Sequence, residues 1–260
     1  MADRSSILFA RRETIGALGA SLALGAWPVS AKEKPAVDAI AFDAFPIFDP
    51  RSVEQQVIAL VPERGRELAQ AWSSKLFSTS WLYTAAGQYV RFDAIAENSL
   101  RYAAEGMGLL LSSSDRHNLV NAYRRLKAWP DVTPSLAKLR EAGIKLALLS
   151  NLGEEWLGAN LDRNELTASF DHVLSTDRVR AFKPSPKAYA MALRAFALPK
   201  SRIGFAAFGG WDAAGASWFG FPTAWVNRAG APREEISPES ALISRDLSSV
   251  IALAGLRAVF

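Results

Sequence analysis

Five short apolar runs, separated by segments of helical pattern, constrain the fold of this chain more than any other feature. They are AIAF (39–42), IKLALLSN (144–151), DHVLSTD (171–177), IGFAAFGG (203–210) and PTAWVN (222–227). Near-continuous apolar strands that alternate with helices are typical of a parallel sheet covered on both faces. The pattern therefore predicts an α/β fold built on a parallel sheet.

Between Asp49 and about Trp129 the pattern is helical throughout, with no strand candidate. We interpret this block as an insertion after the first strand. The predicted organisation is a Rossmann-like core (32–50 and 129–260) with a helical cap domain (51–128). Four aromatic residues of the block have spacings that favour helix packing over pocket lining; they are Trp72, Phe77, Trp81 and Tyr83.

The first 31 residues have the layout of an export signal. The pair Arg11-Arg12 precedes the apolar stretch IGALGASLALGAW (15–27), which is too short to span a bilayer as a helix. Small residues at 29–31 offer a cleavage site. The arginine pair resembles a twin-arginine signal, which predicts a periplasmic protein without a stable membrane anchor after cleavage. The alternative is an uncleaved amphipathic helix, which is disfavoured because the apolar stretch has no polar face.

Composition excludes several kinds of chemistry. The chain has no cysteine, which rules out disulfides, thiol nucleophiles and thiolate metal sites. Its two histidines lie far apart: His172 is interpreted as a strand-edge residue and His117 as a solvated residue in the first turn of a helix. Basic residues are scattered and the net charge is only +4, so no nucleic-acid partner is expected. Catalysis would have to use carboxylate, lysine, hydroxyl and amide groups.

Polar residues follow several of the apolar runs. Asp43 follows the first run, Ser150 and Asn151 end the second, Lys183 follows the third and Asp212 follows the fourth. In isolation Asp43 would be read as a turn residue. Ligands of an open parallel sheet bind at the carboxyl ends of its strands, however, so these residues together predict one site.

Four segments carry a resemblance to a known family. AFDAF…FD, LALLSN, RAFKPSPKAY and GGWDAAGASWFGFPTAWVNR are similar to the successive motifs of the haloacid dehalogenase superfamily, and in particular of its L-2-haloacid dehalogenase (type II) branch. The resemblance covers nearly all of the chain after the export segment. It implies a hydrolase that converts a 2-haloalkanoic acid, a small-molecule carboxylate, to a 2-hydroxy acid.

The resemblance also implies roles for individual residues. Asp43 would attack the halogen-bearing carbon and form an ester, which water then hydrolyses. Lys183 would supply a cation to Asp43, and Asp212 would position the lysine and the water. The substrate-binding residues would be Ser150, Asn151 through its backbone N–H, Tyr189 and Phe45.

The residue two places after the nucleophile separates subfamilies. Magnesium-dependent phosphatases of the superfamily have an aspartate there, whereas this chain has Phe45. The resemblance therefore implies no metal and no cofactor, and a magnesium-dependent phosphatase is disfavoured.

The chain departs from the dehalogenase pattern around the leaving group. Pro46 replaces a glycine-threonine pair, Ser73 aligns with the arginine that receives the halide, and Ala207 and Gly209 align with a serine and an asparagine. These changes predict weakened dehalogenation, with bromo substrates preferred over chloro substrates. A non-catalytic relative that binds a small carboxylate remains an alternative, and a homodimer is one candidate assembly.

Overall fold

A parallel sheet lies at the centre of the fold. A computed structural model describes residues 36–233, 235–236 and 242–257, and the predicted export signal lies outside these residues. The strands described are β1 (Ala39–Phe42), β2 (Phe48–Asp49), β3 (Lys127–Ala128), β4 (Lys145–Ser150), β5 (His172–Ser175), β6 (Ile203–Ala207), β7 (Thr223–Val226) and β8 (Leu242–Ser244). Within the described part, six of them form one sheet in the order β5-β4-β1-β6-β7-β8, and every adjacent pair is parallel. The predicted α/β fold is confirmed.

Helices connect the strands and cover both faces of the sheet. The helices described are α1 (Ala44–Ile47), α2 (Arg51–Leu60), α3 (Gly65–Ala85), α4 (Phe92–Gly106), α5 (Ser113–Asn121), α6 (Val132–Glu141), α7 (Glu154–Arg163), α8 (Pro186–Phe196), α9 (Gly210–Phe219) and α10 (Ser248–Leu253). Of these, none has both the length and the hydropathy needed to cross a membrane.

The alternation of side chains along β1 explains why its sequence is apolar throughout. Ile40 and Phe42 pack into the core on one face of the sheet, while Ala39 and Ala41 pack into the core on the other. Successive side chains of a strand point to opposite faces, so a strand covered on both sides needs apolar residues at every position. Because β1 lies between β4 and β6, its carboxyl end is in the middle of the sheet.

The helical segment (51–124) packs through an apolar stripe on α3 and α4. Leu68, Trp72 and Leu76, spaced four apart, are buried, and the Trp72 indole donates to the Ala96 carbonyl at 2.8 Å. The predicted packing role is thus confirmed for Trp72. Trp81 differs, since it is 37% exposed.

Two expectations for this region are wrong. A strand, β3, does occur between Asp49 and Trp129, paired antiparallel with β2, and the helical structure expected throughout stops earlier, because α5 ends at Asn121 and the turn after it ends at Arg124. The cause is tertiary: the side chains of Asn160 in α7 and of Asn164 just after it accept the N–H groups of Leu126 and Ala128 at 2.9 and 2.8 Å. These partners satisfy donors that a longer helix would have used.

The prediction for His172 is confirmed, whereas the prediction for His117 is correct only in part. His172 begins β5, which is an edge strand of the sheet, as predicted. His117 is exposed as expected, but it lies in the second turn of α5, which begins at Ser113. The Ser112 hydroxyl accepts the Asp115 N–H and caps this helix.

Candidate active site

Asp43 lies directly after β1, where the chain turns into α1. Its backbone N–H donates to the Ala206 carbonyl of β6 at 2.9 Å, which extends the strand pairing to Asp43 itself. Lys183 Nζ donates to Asp43 Oδ1 at 2.7 Å, and the side chain is 11% exposed. Within the described residues, no group hydrogen-bonds to Oδ2. One carboxylate oxygen is therefore anchored and the other is available.

Lys183 is the buried cation of the site. Its side chain is only 1% exposed, and Nζ also donates to Asp212 Oδ2 at 2.7 Å. The Lys183 backbone N–H donates to the side-chain oxygen of Asn151 at 2.9 Å. Burial by itself would lower the pKa of Lys183, but the carboxylates of Asp212 and Asp43 raise it above its usual value. The lysine is accordingly charged at neutral pH.

Asp212, in the first turn of α9, completes this network behind the lysine. Burial raises the pKa of Asp212 to about 6, although Lys183 and the hydrogen bond from Tyr189 act in the opposite direction. The Tyr189 hydroxyl donates to Asp212 Oδ1 at 2.7 Å. A side chain at Gly215 would place its Cβ 2.6 Å from that hydroxyl, so glycine is what lets Tyr189 reach Asp212.

A cavity of about 190 Å³ opens in front of Asp43. Its lining residues are Asp43, Ser150, Asn151, Lys183 and Gly209 from the strand ends, Ser73, Leu76, Phe77, Phe92 and Tyr123 from the helical segment, and Phe45, Pro50, Leu152, Phe208 and Trp211 between them. Most of this lining is apolar, so a charge in the cavity interacts strongly with the few polar groups present. Asp212 and Tyr189 do not line the cavity and act from behind Lys183.

Ser150 and Asn151 supply polar groups beside Asp43. The Ser150 hydroxyl accepts the Leu152 N–H at 3.2 Å, which leaves its own proton available to a ligand. The Asn151 amide nitrogen is buried and has no hydrogen-bond partner among the described residues. Only the backbone N–H of Asn151 was predicted to bind substrate, and the side-chain amide was missed. An unpaired buried donor at a cavity wall suits an anionic ligand.

The positions that depart from the dehalogenase pattern are distributed unevenly around the cavity. Ser73 lines it but is an exposed residue of α3. At Gly209 an added Cβ would lie 2.7 Å from the Trp211 indole nitrogen, so this indole takes up the space of a side chain there. Pro46 does not line the cavity, and its carbonyl accepts from the Arg228 guanidinium at 2.7 Å.

Aromatic residues form much of the remaining wall. Phe45 packs against Phe208, with ring centroids 5.5 Å apart, and against Tyr123 at 6.3 Å. Phe77 packs against Trp211 at 5.5 Å. The expected preference for helix packing was therefore incomplete for Phe77, and Tyr123, Phe208 and Trp211 were not identified from the sequence as cavity residues.

A cluster of potential metal ligands is absent from the described residues. No three histidine, aspartate or glutamate side chains among them lie close enough together to hold a metal ion. The polar groups at the cavity are one carboxylate, one ammonium group, hydroxyls and an amide. This set matches displacement by a carboxylate nucleophile.

Known proteins are similar to this chain in sequence and in fold. The model of the haloacid dehalogenase-like hydrolase family matches residues 30–220. The (S)-2-haloacid dehalogenase of Pseudomonas sp. (strain YL) is 38% identical over 201 residues, which cover 77% of this chain and 87% of that protein. The haloacetate dehalogenase H-2 of Moraxella sp. (strain B) is 33% identical over 201 residues, covering 77% and 90%.

Solved structures give the same result. A crystal structure of an L-2-haloacid dehalogenase superposes with a TM-score of 0.81 at 35% identity, covering 85% of this chain and 99% of that chain. The L-2-haloacid dehalogenase from Xanthobacter autotrophicus with chloropropionic acid covalently bound gives a TM-score of 0.75 at 30% identity, covering 84% and 98%. The chain therefore belongs to the haloacid dehalogenase-like hydrolase family.

Proposed function

We propose that this protein hydrolyses (S)-2-haloalkanoic acids to 2-hydroxy acids through an ester on Asp43. The observation that carries the proposal is the Asp43 carboxylate, held by Lys183 through one oxygen while the other is available at a mostly apolar cavity. The resemblance to proteins named as 2-haloacid dehalogenases supports the same reaction.

In the first step, Asp43 Oδ2 attacks the halogen-bearing carbon. A bond forms between Oδ2 and that carbon while the carbon–halogen bond breaks, and the halide leaves with the bonding electrons. The substrate carboxylate is held by the Ser150 hydroxyl and by the Asn151 amide and backbone N–H. Lys183 holds Asp43 in place, and the apolar wall limits hydration of the nucleophile.

In the second step, water attacks the carbonyl carbon of the Asp43 ester. Negative charge then develops on the carbonyl oxygen, and the Lys183 ammonium group stabilises it. Asp212 does not face the cavity, so we assign the proton released by the water to a relay: the Lys183 ammonium group passes one of its protons to Asp212 Oδ2, 2.7 Å away, and takes up the proton of the water. The pKa of Asp212, about 6, suits a base at neutral pH. The bond between the carbonyl carbon and Oδ2 then breaks, and the departing alkoxide takes up the proton that Asp212 returns through Lys183. The product is a hydroxy acid of inverted configuration, and Asp43 returns to its ionised form when its new carboxyl group loses the remaining proton of the water to solvent.

A single turnover in ¹⁸O-labelled water tests this route. With enzyme in excess over (S)-2-bromopropionate, we expect the label in the Asp43 carboxylate and not in the lactate, because the product takes its new oxygen from the aspartate. Mass spectrometry of the Asp43 peptide provides the measurement. Label in the first-turnover lactate would show direct attack by water on the substrate. Binding without halide release would favour the non-catalytic carboxylate-binding relative.

The rate is expected to fall as the pH drops through about 6. Asp212 accepts a proton only when ionised, and its raised pKa means that it is already protonated at pH 5, where an ordinary aspartate is still charged. The measurement is the rate of ester hydrolysis by rapid quench between pH 4.5 and 8, with circular dichroism to verify folding at each pH. A rate that stays constant down to pH 5 would exclude Asp212 as the base.

We also propose that residues 51–128 act as a cap over the site. In support, the helical segment supplies Ser73, Leu76, Phe77, Phe92 and Tyr123 to the cavity wall. The helical segment follows β2 and is followed by β3, and these two strands are paired.

The Arg11-Arg12 pair and the apolar stretch after it support export to the periplasm by the twin-arginine route. We expect protein recovered from its native cell to begin at or near Lys32 and to lie in the periplasmic fraction. N-terminal sequencing after cell fractionation is the measurement, with replacement of the arginine pair by two lysines as a variant expected to stay in the cytoplasm. A full-length cytoplasmic product of the parent gene would contradict export.

A further inference from the structure

Tyr123 is a cavity-lining residue to which the reaction above gives no role. It lies in the turn Ala122–Arg124 after α5 and is only 9% exposed. Its ring stacks on Trp156 with centroids 6.1 Å apart and an interplanar angle of 6°, and meets the Trp72 ring edge-on at 5.8 Å. Its backbone carbonyl accepts from the Asn160 amide at 2.8 Å. The ring is therefore held in one position.

The hydroxyl of Tyr123 is a donor without an acceptor. Among the described residues no group hydrogen-bonds to it, and burial alone accounts for the raised pKa of the phenol. The group consequently stays protonated throughout the working pH range. The hydroxyl oxygen is not fully buried, so a ligand in the cavity can reach it and accept its hydrogen bond.

The position of Tyr123 relative to Asp43 suggests which ligand atom this is. In an in-line displacement the leaving group departs from the side of the carbon opposite the attacking oxygen. Asp43, Ser150 and Asn151 all line the cavity from the strand ends, whereas Tyr123 lines it from the helical segment. Within the helical part of the lining, the side chains with a polar hydrogen are those of Ser73 and Tyr123, and Ser73 is exposed to water.

We propose that the Tyr123 hydroxyl donates the hydrogen bond that receives the departing halide, an inference that rests on the proposed function. As the bond between Asp43 Oδ2 and carbon forms, the halogen leaves as an anion with the bonding electrons. The tyrosine proton stays on its own oxygen and hydrogen-bonds to this anion. A neutral donor at the cavity wall thus takes the place of the charged group that Ser73 does not provide.

The leaving group tests this assignment, because a poorer leaving group depends more on its donor. We expect Tyr123→Phe to lower the rate of ester formation about tenfold to a hundredfold for (S)-2-chloropropionate, less for the bromo acid and least for the iodo acid. Tyr102→Phe is the matched control, since Tyr102 is 62% exposed on α4 and does not line the cavity. An equal decrease for all three halides, or none, would overturn the assignment.

Bromide binding tests Tyr123 independently of turnover. Crystals soaked in sodium bromide should show an anomalous peak within hydrogen-bonding distance of the Tyr123 hydroxyl, and the peak should be absent in Tyr123→Phe and retained in Tyr102→Phe. If the parent turned over no haloacid but showed this peak, the proposed function would fail while the halide site stood. No peak at the hydroxyl in the parent, or the same peak in Tyr123→Phe, would refute the site.

Discussion

Replacing Asp43 with asparagine is expected to abolish hydrolysis of 2-haloacids, with kcat reduced on the order of 10⁴-fold or more. An amide has nearly the same shape as the carboxylate but is a far weaker nucleophile, so no ester forms. The residual kcat is obtained from halide release over hours, measured at enzyme concentrations high enough to detect one turnover. Mass spectrometry of the same samples should find no adduct on residue 43.

The fold should survive this change. Lys183 keeps its contact with Asp212 at 2.7 Å, and Asp43 is one of the groups that raise the pKa of Asp212. Removing the Asp43 charge relieves that repulsion, so the Tm of Asp43→Asn should be no lower than that of the parent. Asp49→Asn is the matched control, because Asp49 lies six residues further on at the end of β2, pairs with Arg51 and does not line the cavity. Substantial activity in Asp43→Asn would mean that another group attacks the substrate.

The strand pattern and the rules of parallel sheets were sufficient to predict most of the geometry around Asp43. Continuous apolar runs identified β1, β4, β5, β6 and β7, and the carboxyl ends of such strands lie at one edge. As a result, Asp43, Lys183 and Asp212 were expected near one another. In the structure Lys183 Nζ donates hydrogen bonds of 2.7 Å to the carboxylates of both aspartates. Their catalytic roles stay predictions.

The sequence carried little signal for the opposite wall of the cavity. Tyr123 and Phe77 occur in helix-period segments, where an aromatic residue that packs in a core and one that faces a cavity have the same spacing. The position of Tyr123 depends on where α5 ends, and the segment after it is held by the side chains of Asn160 and Asn164, which are distant in sequence. Strand β8 was also missed, because it is short and its apolar residues are partly exposed.

Replacing Lys183 with methionine is expected to eliminate ester formation and to lower the free energy of unfolding by about 3–5 kcal/mol. In the parent, the carboxylates of Asp43 and Asp212 each contact the Lys183 ammonium group at 2.7 Å. Methionine fills a similar volume but leaves both carboxylates buried without a cation. Urea denaturation at pH 7.5 gives the stability change, and the ¹⁸O experiment gives the chemistry. A variant as stable and as active as the parent would contradict this geometry.

If charge repulsion rather than lost packing destabilises Lys183→Met, the stability of this variant should depend on pH and on a second substitution. Lys183 lowers the pKa of Asp212, which is about 6 in the parent, so without the lysine this pKa rises further above the unfolded value near 3.9. The native state of the variant therefore binds more protons than the unfolded state at intermediate pH. Stability of Lys183→Met should then increase as the pH falls from 8 towards 5, and the difference from the parent should shrink. The double variant Asp43→Asn/Lys183→Met should regain part of the lost stability at pH 7.5, since only one carboxylate remains. Purely additive effects, together with a difference that does not depend on pH, would assign the loss to packing of the lysine side chain instead.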